Sequence, residues 1–218
     1  TPGDQGDVFG VWGSDDDTAW AVGGSPIDDV GFIWEKDGER WVDITPQDYA
    51  DTTVFKVWGT SASDVWFVGV GGLILHYDGT TFTEHSCGSR ITLFTVSGSA
   101  PDDIWAVGGP RATVCHYDGS SWSEEDTGLF ASIVNGVSVE PNGRVWIVGD
   151  NGLKAHREAD GTWIDHTFEA PSGTELHAVW AEVEGEIFAV GGNLLAPRGD
   201  DRFGVIGHFG TDAPSTLR

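Results

Sequence analysis

The sequence predicts an all-β fold, a five-bladed β-propeller of four-stranded antiparallel blades, on three observations. A five-residue motif recurs: Ala19-Trp20-Ala21-Val22-Gly23, Val65-Trp66-Phe67-Val68-Gly69, Ile104-Trp105-Ala106-Val107-Gly108, Val145-Trp146-Ile147-Val148-Gly149 and Ile187-Phe188-Ala189-Val190-Gly191. Its aromatic anchors, Trp20, Trp66, Trp105, Trp146 and Phe188, stand 46, 39, 41 and 42 residues apart, so five such units nearly fill the 218 residues. Each period divides into four short runs rich in β-branched and aromatic residues, separated by Gly, Asp and Ser, the pattern of strands joined by tight turns. Four antiparallel strands in about 40 residues form a propeller blade, which needs neighbouring blades to bury both its faces.

The blades are expected at 8–45, 54–86, 93–126, 134–168 and 176–218, together one domain over 1–218. The first strand of each reads VFGVWG (8–13), VFKVWG (54–59), LFTVSG (93–98), VNGVSV (134–139) and LHAVWA (176–181). The second carries the Trp motif. The third covers 32–38, 73–79, 113–119, 153–161 and 205–210, and in the first four blades ends on Asp-Gly, a hairpin signal because Gly takes positive φ cheaply. The fourth covers 40–44, 81–85, 121–125 and 162–166. Blade five has only a weak counterpart within 212–218, interrupted by Pro214. No stretch has helical periodicity.

Composition narrows the function. Eleven Lys and Arg against 35 Asp and Glu leave a net charge of −24. Phosphate backbones call for clustered cations, so nucleic acid is excluded as a partner and an anionic membrane surface is disfavoured. The longest apolar runs are five or six residues, too short to insert across a membrane. A chain without Met implies a processed or partial polypeptide. With the acidity and the Trp-rich repeats, this predicts a secreted, extracellular or periplasmic protein. Cys87 and Cys115 are either one bridge of an oxidising compartment or two buried thiols.

The motif Trp-Ala-Val-Gly, then Gly-x-Ile, then Asp-Gly-x-x-Trp resembles the Asp-box (BNR-like) propeller repeats. It is most similar to those of photosystem II assembly and stability factors, and is similar to Trp-rich repeats of secreted proteins from predatory soil bacteria. The resemblance implies a propeller. It departs from the family where the usual Ser or Thr two residues before the box Asp becomes His76 or His116. The assembly factors usually have seven blades, so a role in photosystem assembly does not carry over.

Four residue sets suggest chemistry. His76, His116, His156 and His208 share one third-strand position, where blade one has Glu35. A metal ring there fails on geometry: third strands lie about 10 Å outside first strands, and zinc holds its nitrogens within about 2 Å. These His are expected half-buried, bonded to backbone or to the Asp-Gly turn. Asp37, Asp78, Asp118 and Asp160 in the turns, and Asp17, Asp64 and Asp103 before the second strands, are read as Asx-type turn residues rather than calcium ligands. Trp12, Trp58 and Trp180 end the first strands of blades one, two and five. Ring closure makes those blades contiguous, so the three indoles are either a sugar-binding sector or packing between blades. Finally, the loops after the second strand are short in blades two to four and long in blades one (23–31) and five (191–204). The long loops carry Asp28, Asp29, Arg198, Asp200, Asp201 and Arg202. Side by side in a closed ring, they are the expected binding face, selective for a cation or a charged partner. Calcium is conceivable if the carboxylates converge.

A glycosidase would need two carboxyl groups roughly 5–10 Å apart on the innermost strands. The segments read as those strands contain no Asp or Glu; their polar residues are Lys56, Thr95, Ser97, Asn135, Ser138 and His177. No nucleophile elbow, zinc helix or phosphate loop is present. The expected function is therefore a non-enzymatic secreted binding module without cofactor. Its partner is a protein, in an interaction or assembly scaffold, or alternatively a glycan in a lectin. A glycosidase-like enzyme is the third and weakest reading.

Overall fold

The computed structural model describes residues 6–15, 17–130, 133–169, 173–183, 185–193 and 203–209. Blade one comprises β1 (Asp7–Gly13), β2 (Ala19–Ser25), β3 (Val30–Asp37) and β4 (Arg40–Asp43). Blade two comprises β5 (Val54–Ser61), β6 (Asp64–Gly69), β7 (Ile74–Tyr77) and β8 (Phe82–His85). Blade three comprises β9 (Leu93–Ala100), β10 (Asp103–Gly108), β11 (Thr113–Tyr117) and β12 (Trp122–Glu124). Blade four comprises β13 (Val134–Val139), β14 (Val145–Gly149), β15 (Lys154–Arg157) and β16 (Trp163–Asp165). Blade five comprises β17 (Leu176–Val183), β18 (Glu186–Gly192) and β19 (Gly204–Phe209). Four sheets are four-stranded and the fifth three-stranded among the described residues, each running in chain order from its first strand outward. The predicted fourth strand of blade five lies outside the described residues. Three short 3-10 turns are the only helical elements described.

The chain divides into two compact units, Thr1–Ala106 with Cys115–Glu124, and Val107–Val114 with Glu125–Arg218. The boundary runs through blade three.

In the first unit the cores form between successive sheets. Trp20, Val22 and Ile33 of blade one share a core with Val54 and Val57 of blade two. Trp66, Val68 and Ile74 of blade two do the same with Leu93 and Val96 of blade three. In the second unit Val148 of blade four packs with Leu176 of blade five, and Val179 lies against that cluster. Alternation along β2, β6 and β14 thus sends one set of side chains toward the following blade. Burial on both faces of β2, β6, β10 and β14 explains why these second strands read as continuous apolar runs.

Two strand ends differ from the expectation of acid-free inner strands. β1 begins on Asp7, and β17 runs through Glu182 to Val183. The ladder carries β17 onward because Val183 pairs with Glu186 across the hairpin. Cys87, just after β8, is joined to Cys115 on β11, with Cα atoms 6.0 Å apart. Both belong to the first unit.

Candidate functional site: the bulged inner strands

Four of the five first strands, β1, β5, β13 and β17, share an irregularity that aims one side chain away from the ladder. In β1 the register shifts between Val8 and Gly10, leaving Phe9 as the extra residue. The same shift falls at Phe55 in β5, Asn135 in β13 and His177 in β17. A β-bulge opposes two residues to one, so it re-aims a side chain and leaves its backbone out of the regular pairing. Phe94 holds the matching position in β9.

In the first unit these bulge residues make an aromatic ladder. Phe9 and Phe55 ring centroids lie 5.2 Å apart, and Phe55 and Phe94 5.6 Å apart, in tilted and edge-on geometry. Such geometry suits ring quadrupoles. Phe9 is 41% exposed, and Phe55, Lys56, Phe94 and Thr95 are half-buried. In the second unit the equivalents are polar. Asn135 Nδ2 donates to Asp150 Oδ1 at 3.1 Å and to the Leu176 carbonyl at 3.0 Å, while His177 Nε2 lies 3.3 Å from the Gly192 carbonyl oxygen. The Phe residues do not figure among the expected site residues, because in sequence they are indistinguishable from core positions of the first strands. The available signal was the spacing of their apolar neighbours. Val8 and Val11, Val54 and Val57, Leu93 and Val96, Val134 and Val137, Leu176 and Val179 are three apart, whereas residues on one face of a regular strand are two or four apart. One extra residue between them reconciles the pattern.

The expected site residues are placed as follows. Trp12 and Trp58 serve packing between blades. The ring tip of Trp12 lies over Gly59 and that of Trp58 over Gly98, so closely that a Cβ on either glycine would stand about 3 Å or less from the indole. Trp12 also stacks on Trp20, with centroids 5.5 Å apart. Trp180 is 40% exposed beside Phe188. In the loop 23–31, Ser25 Oγ donates to Asp28 Oδ2 at 2.7 Å, and Asp29 adopts a left-handed φ of 50°. Arg198, Asp200, Asp201 and Arg202 lie outside the described residues. Among the described residues, no three His, Cys, Asp or Glu side chains converge to hold a metal ion.

The repeated His residues correct their expected partners. His76 Nε2 lies 2.8 Å from Asp64 Oδ1, and His116 Nε2 lies 2.9 Å from Asp103 Oδ1. The same two carboxylate oxygens accept the indole N–H of Trp66 at 3.0 Å and of Trp105 at 2.8 Å. Each imidazole stacks on that indole, at 4.3 and 3.9 Å. Asp64 and Asp103 are therefore not simple turn residues: each ties together the start, middle and neighbour of its strand. Burial raises the Asp103 pKa, but hydrogen bonds from His116, Ser99 and Trp105 outweigh it, and the net direction is down. Blade five keeps the arrangement with His208 and Glu186, 2.5 Å apart. Blade four rearranges it. Trp146 Nε1 donates to Glu140 at 2.7 Å, and His156 bridges Glu158 at 2.8 Å and His166 at 2.9 Å.

The Asp-Gly turns at Asp78, Asp118 and Asp160 are as read. Asp78 accepts the N–H groups of Thr80 and Thr81 at 2.8 and 2.7 Å, and Asp118 those of Ser120 and Ser121 at 2.9 Å. The Ser120 hydroxyl and these N–H groups hold the Asp118 pKa at about 2.

No family model matches the chain, and no curated protein matches it. Solved structures do. YCF48 bound to D1 peptide is 15% identical, with a TM-score of 0.64 over 86% of this chain and 61% of that one. The fold is a β-propeller. A streptogramin B lyase is 15% identical, with a TM-score of 0.70 over 96% of this chain and 70% of that one. An ancestral GH74 enzyme is 11% identical, with a TM-score of 0.68 over 95% of this chain and 32% of that one. This chain spans about three fifths of the length of the YCF48 chain. At these identities the likeness establishes the fold alone, which hosts both binding proteins and enzymes.

Proposed function

We propose that the chain is a non-enzymatic binding module, secreted or periplasmic, that takes a polypeptide segment along the bulged inner strands of its first unit. The observation that carries this reading is the Phe9, Phe55 and Phe94 ladder, with Phe9 and Phe55 presented off the sheet by a repeated bulge. Partly exposed aromatic rings beside Lys56 and Thr95 suit a partner with apolar side chains and a polar backbone. The peptide-bound YCF48 structure supports a polypeptide partner on this fold. The Cys87–Cys115 bridge supports an oxidising compartment. The loop 23–31, with Asp28 and Asp29, is proposed to add charge selectivity.

A lectin keeps one specific support, the exposed Trp180. Trp12 and Trp58, half-buried with their ring tips over Gly59 and Gly98, support it less. Parallel peptide and glycan arrays separate the two readings. Peptides with paired apolar side chains should bind, and Phe9→Ala should abolish their signal. Glycan binding alone, or turnover of a glycan, would overturn the proposal.

A further inference from the structure

Where blades two, three and five pair one imidazole with one carboxylate, blade four strings four side chains together within the second unit. Glu158 Oε1 lies 2.8 Å from His156 Nε2, and His156 Nδ1 lies 2.9 Å from His166 Nε2. His166 Nδ1 in turn lies 2.8 Å from Glu169 Oε1. The imidazole planes are within 17° of parallel and their centroids 5.0 Å apart. With the facing nitrogens 2.9 Å apart, the rings meet edge to edge, nitrogen to nitrogen.

The chain fixes a proton count. All three contacts have hydrogen-bond lengths, so each holds one proton. An ionised carboxylate only accepts, and a neutral imidazole donates from one nitrogen. Two neutral imidazoles therefore supply two protons, directed at Glu158 and Glu169, and leave two bare nitrogens facing each other. A third proton turns that repulsion into an N–H···N bond. It does not reside on Glu158, because the hydrogen bond from His156 foremost, with the charge of Arg144, holds that carboxyl below its ordinary 4.5.

The surrounding charges are set by each neighbouring strand. From β14, Arg144 lies 3.4 Å from Glu158 and 3.8 Å from Glu140. Glu140, just after β13, accepts from Trp146, whose indole lies 4.7 and 5.7 Å from the two imidazoles. From β15, Lys154 donates to the Thr167 and Glu169 carbonyls at 3.4 and 2.9 Å, and Arg157 to Glu125 at 2.7 Å. Asp165 ends β16 and accepts the Thr167 N–H. From blade five, Phe209 faces Trp146, and His208 pairs with Glu186.

We propose that blade four carries a pH-sensitive clasp, in which His156 and His166 share one extra proton that locks the turn 166–169 onto β15. Loss of that proton leaves two for three contacts, so one contact opens. Arg144 also holds Glu158, whereas the Glu169 side chain is 62% exposed, so the opening falls at His166, just after the outer strand. The clasp contributes in acid, where the proton is held, and its contribution is lost as pH rises through the imidazole range, about 5 to 8.

Nitrogen-15 NMR of the histidine-labelled chain, with urea unfolding of wild type and His166→Gln, tests this. In acid, a coupling through the hydrogen bond should connect His156 Nδ1 and His166 Nε2. As pH rises, both rings should change at one shared midpoint with release of one proton, and the coupling should vanish. His166→Gln is neutral and cannot share the extra proton. It should move the His156 titration, and its deficit in urea midpoint should be larger near about pH 6 than near about pH 8. Two rings that titrate independently, or no coupling at any pH, overturn the proposal. So does a deficit that is constant or widens toward alkaline pH. If His166→Gln does not fold, the wild-type titration decides alone.

Discussion

At the level of single residues, one carboxylate serves a whole blade. Asp103 accepts from Trp105 and Ser99 and meets His116, so it fastens the hairpin loop and the second and third strands through one side chain. Asp103→Asn removes the charge that strengthens those hydrogen bonds. It should cost about 1–2 kcal/mol at neutral pH, read by urea unfolding. The pH dependence has a defined sign. The folded-state pKa of Asp103 lies below its ordinary 3.8. Its contribution is complete above that value and is lost as pH falls through the lowered one. The stability gap between wild type and Asp103→Asn should therefore narrow below about pH 4. A gap that widens in acid would contradict this assignment. The turn residues Asp78, Asp118 and Asp160 were legible in the sequence, because their donors lie two and three residues away. The role of Asp64 was not, because His76 reaches it from twelve residues along the chain, across the ladder.

Between elements, the decisive contacts are a side chain of one blade seated on a bare backbone of the next. Gly98 has the Trp58 ring tip 2.7 Å and the Asp103 carbonyl oxygen 2.6 Å from where its Cβ would stand. Gly98→Ala should therefore destabilise by about 1–3 kcal/mol, and pairing it with Trp58→Leu should recover part of that loss. Full additivity in this double-mutant cycle would mean the two sites do not touch. The Cys87–Cys115 bridge joins the crossing after blade two to the third strand of blade three, over a separation of 28 residues. Closing a loop of that length contributes about 3–4 kcal/mol in the chain-entropy account. Thiol titration of the unfolded protein should find no free thiol until reductant is added, and reductant should lower the urea midpoint. Two free thiols without reductant would remove the bridge. Strand order and turns could be read from the repeat because each is a local pattern of two to four residues. The bulges are less legible, because a single extra residue interrupts the two-residue alternation without changing the strand's composition.

For the whole molecule, the four Trp motifs and the matching Phe188 segment made five sheets legible, since each period near 42 residues holds the strands of one sheet. The scarcity of cations, a property of the entire chain, argues against a nucleic-acid partner. The binding residues were not legible in the same way. Charged, irregular segments such as 23–31 stand out in a sequence, whereas the Phe ladder is made of residues that resemble core in the sequence. The sharpest test is calorimetric titration of one array-selected peptide into wild type, Phe9→Ala, Phe94→Ala and a variant with the loop 23–31 shortened to Gly-Asp-Asn-Gly. If the bulged inner strands are the binding surface, either Phe substitution weakens affinity by about tenfold or more, roughly 1.4 kcal/mol, with the fold intact and the loop variant affected less. Unchanged affinity in both Phe variants, with binding lost in the loop variant, would place the site on the loops and contradict the account.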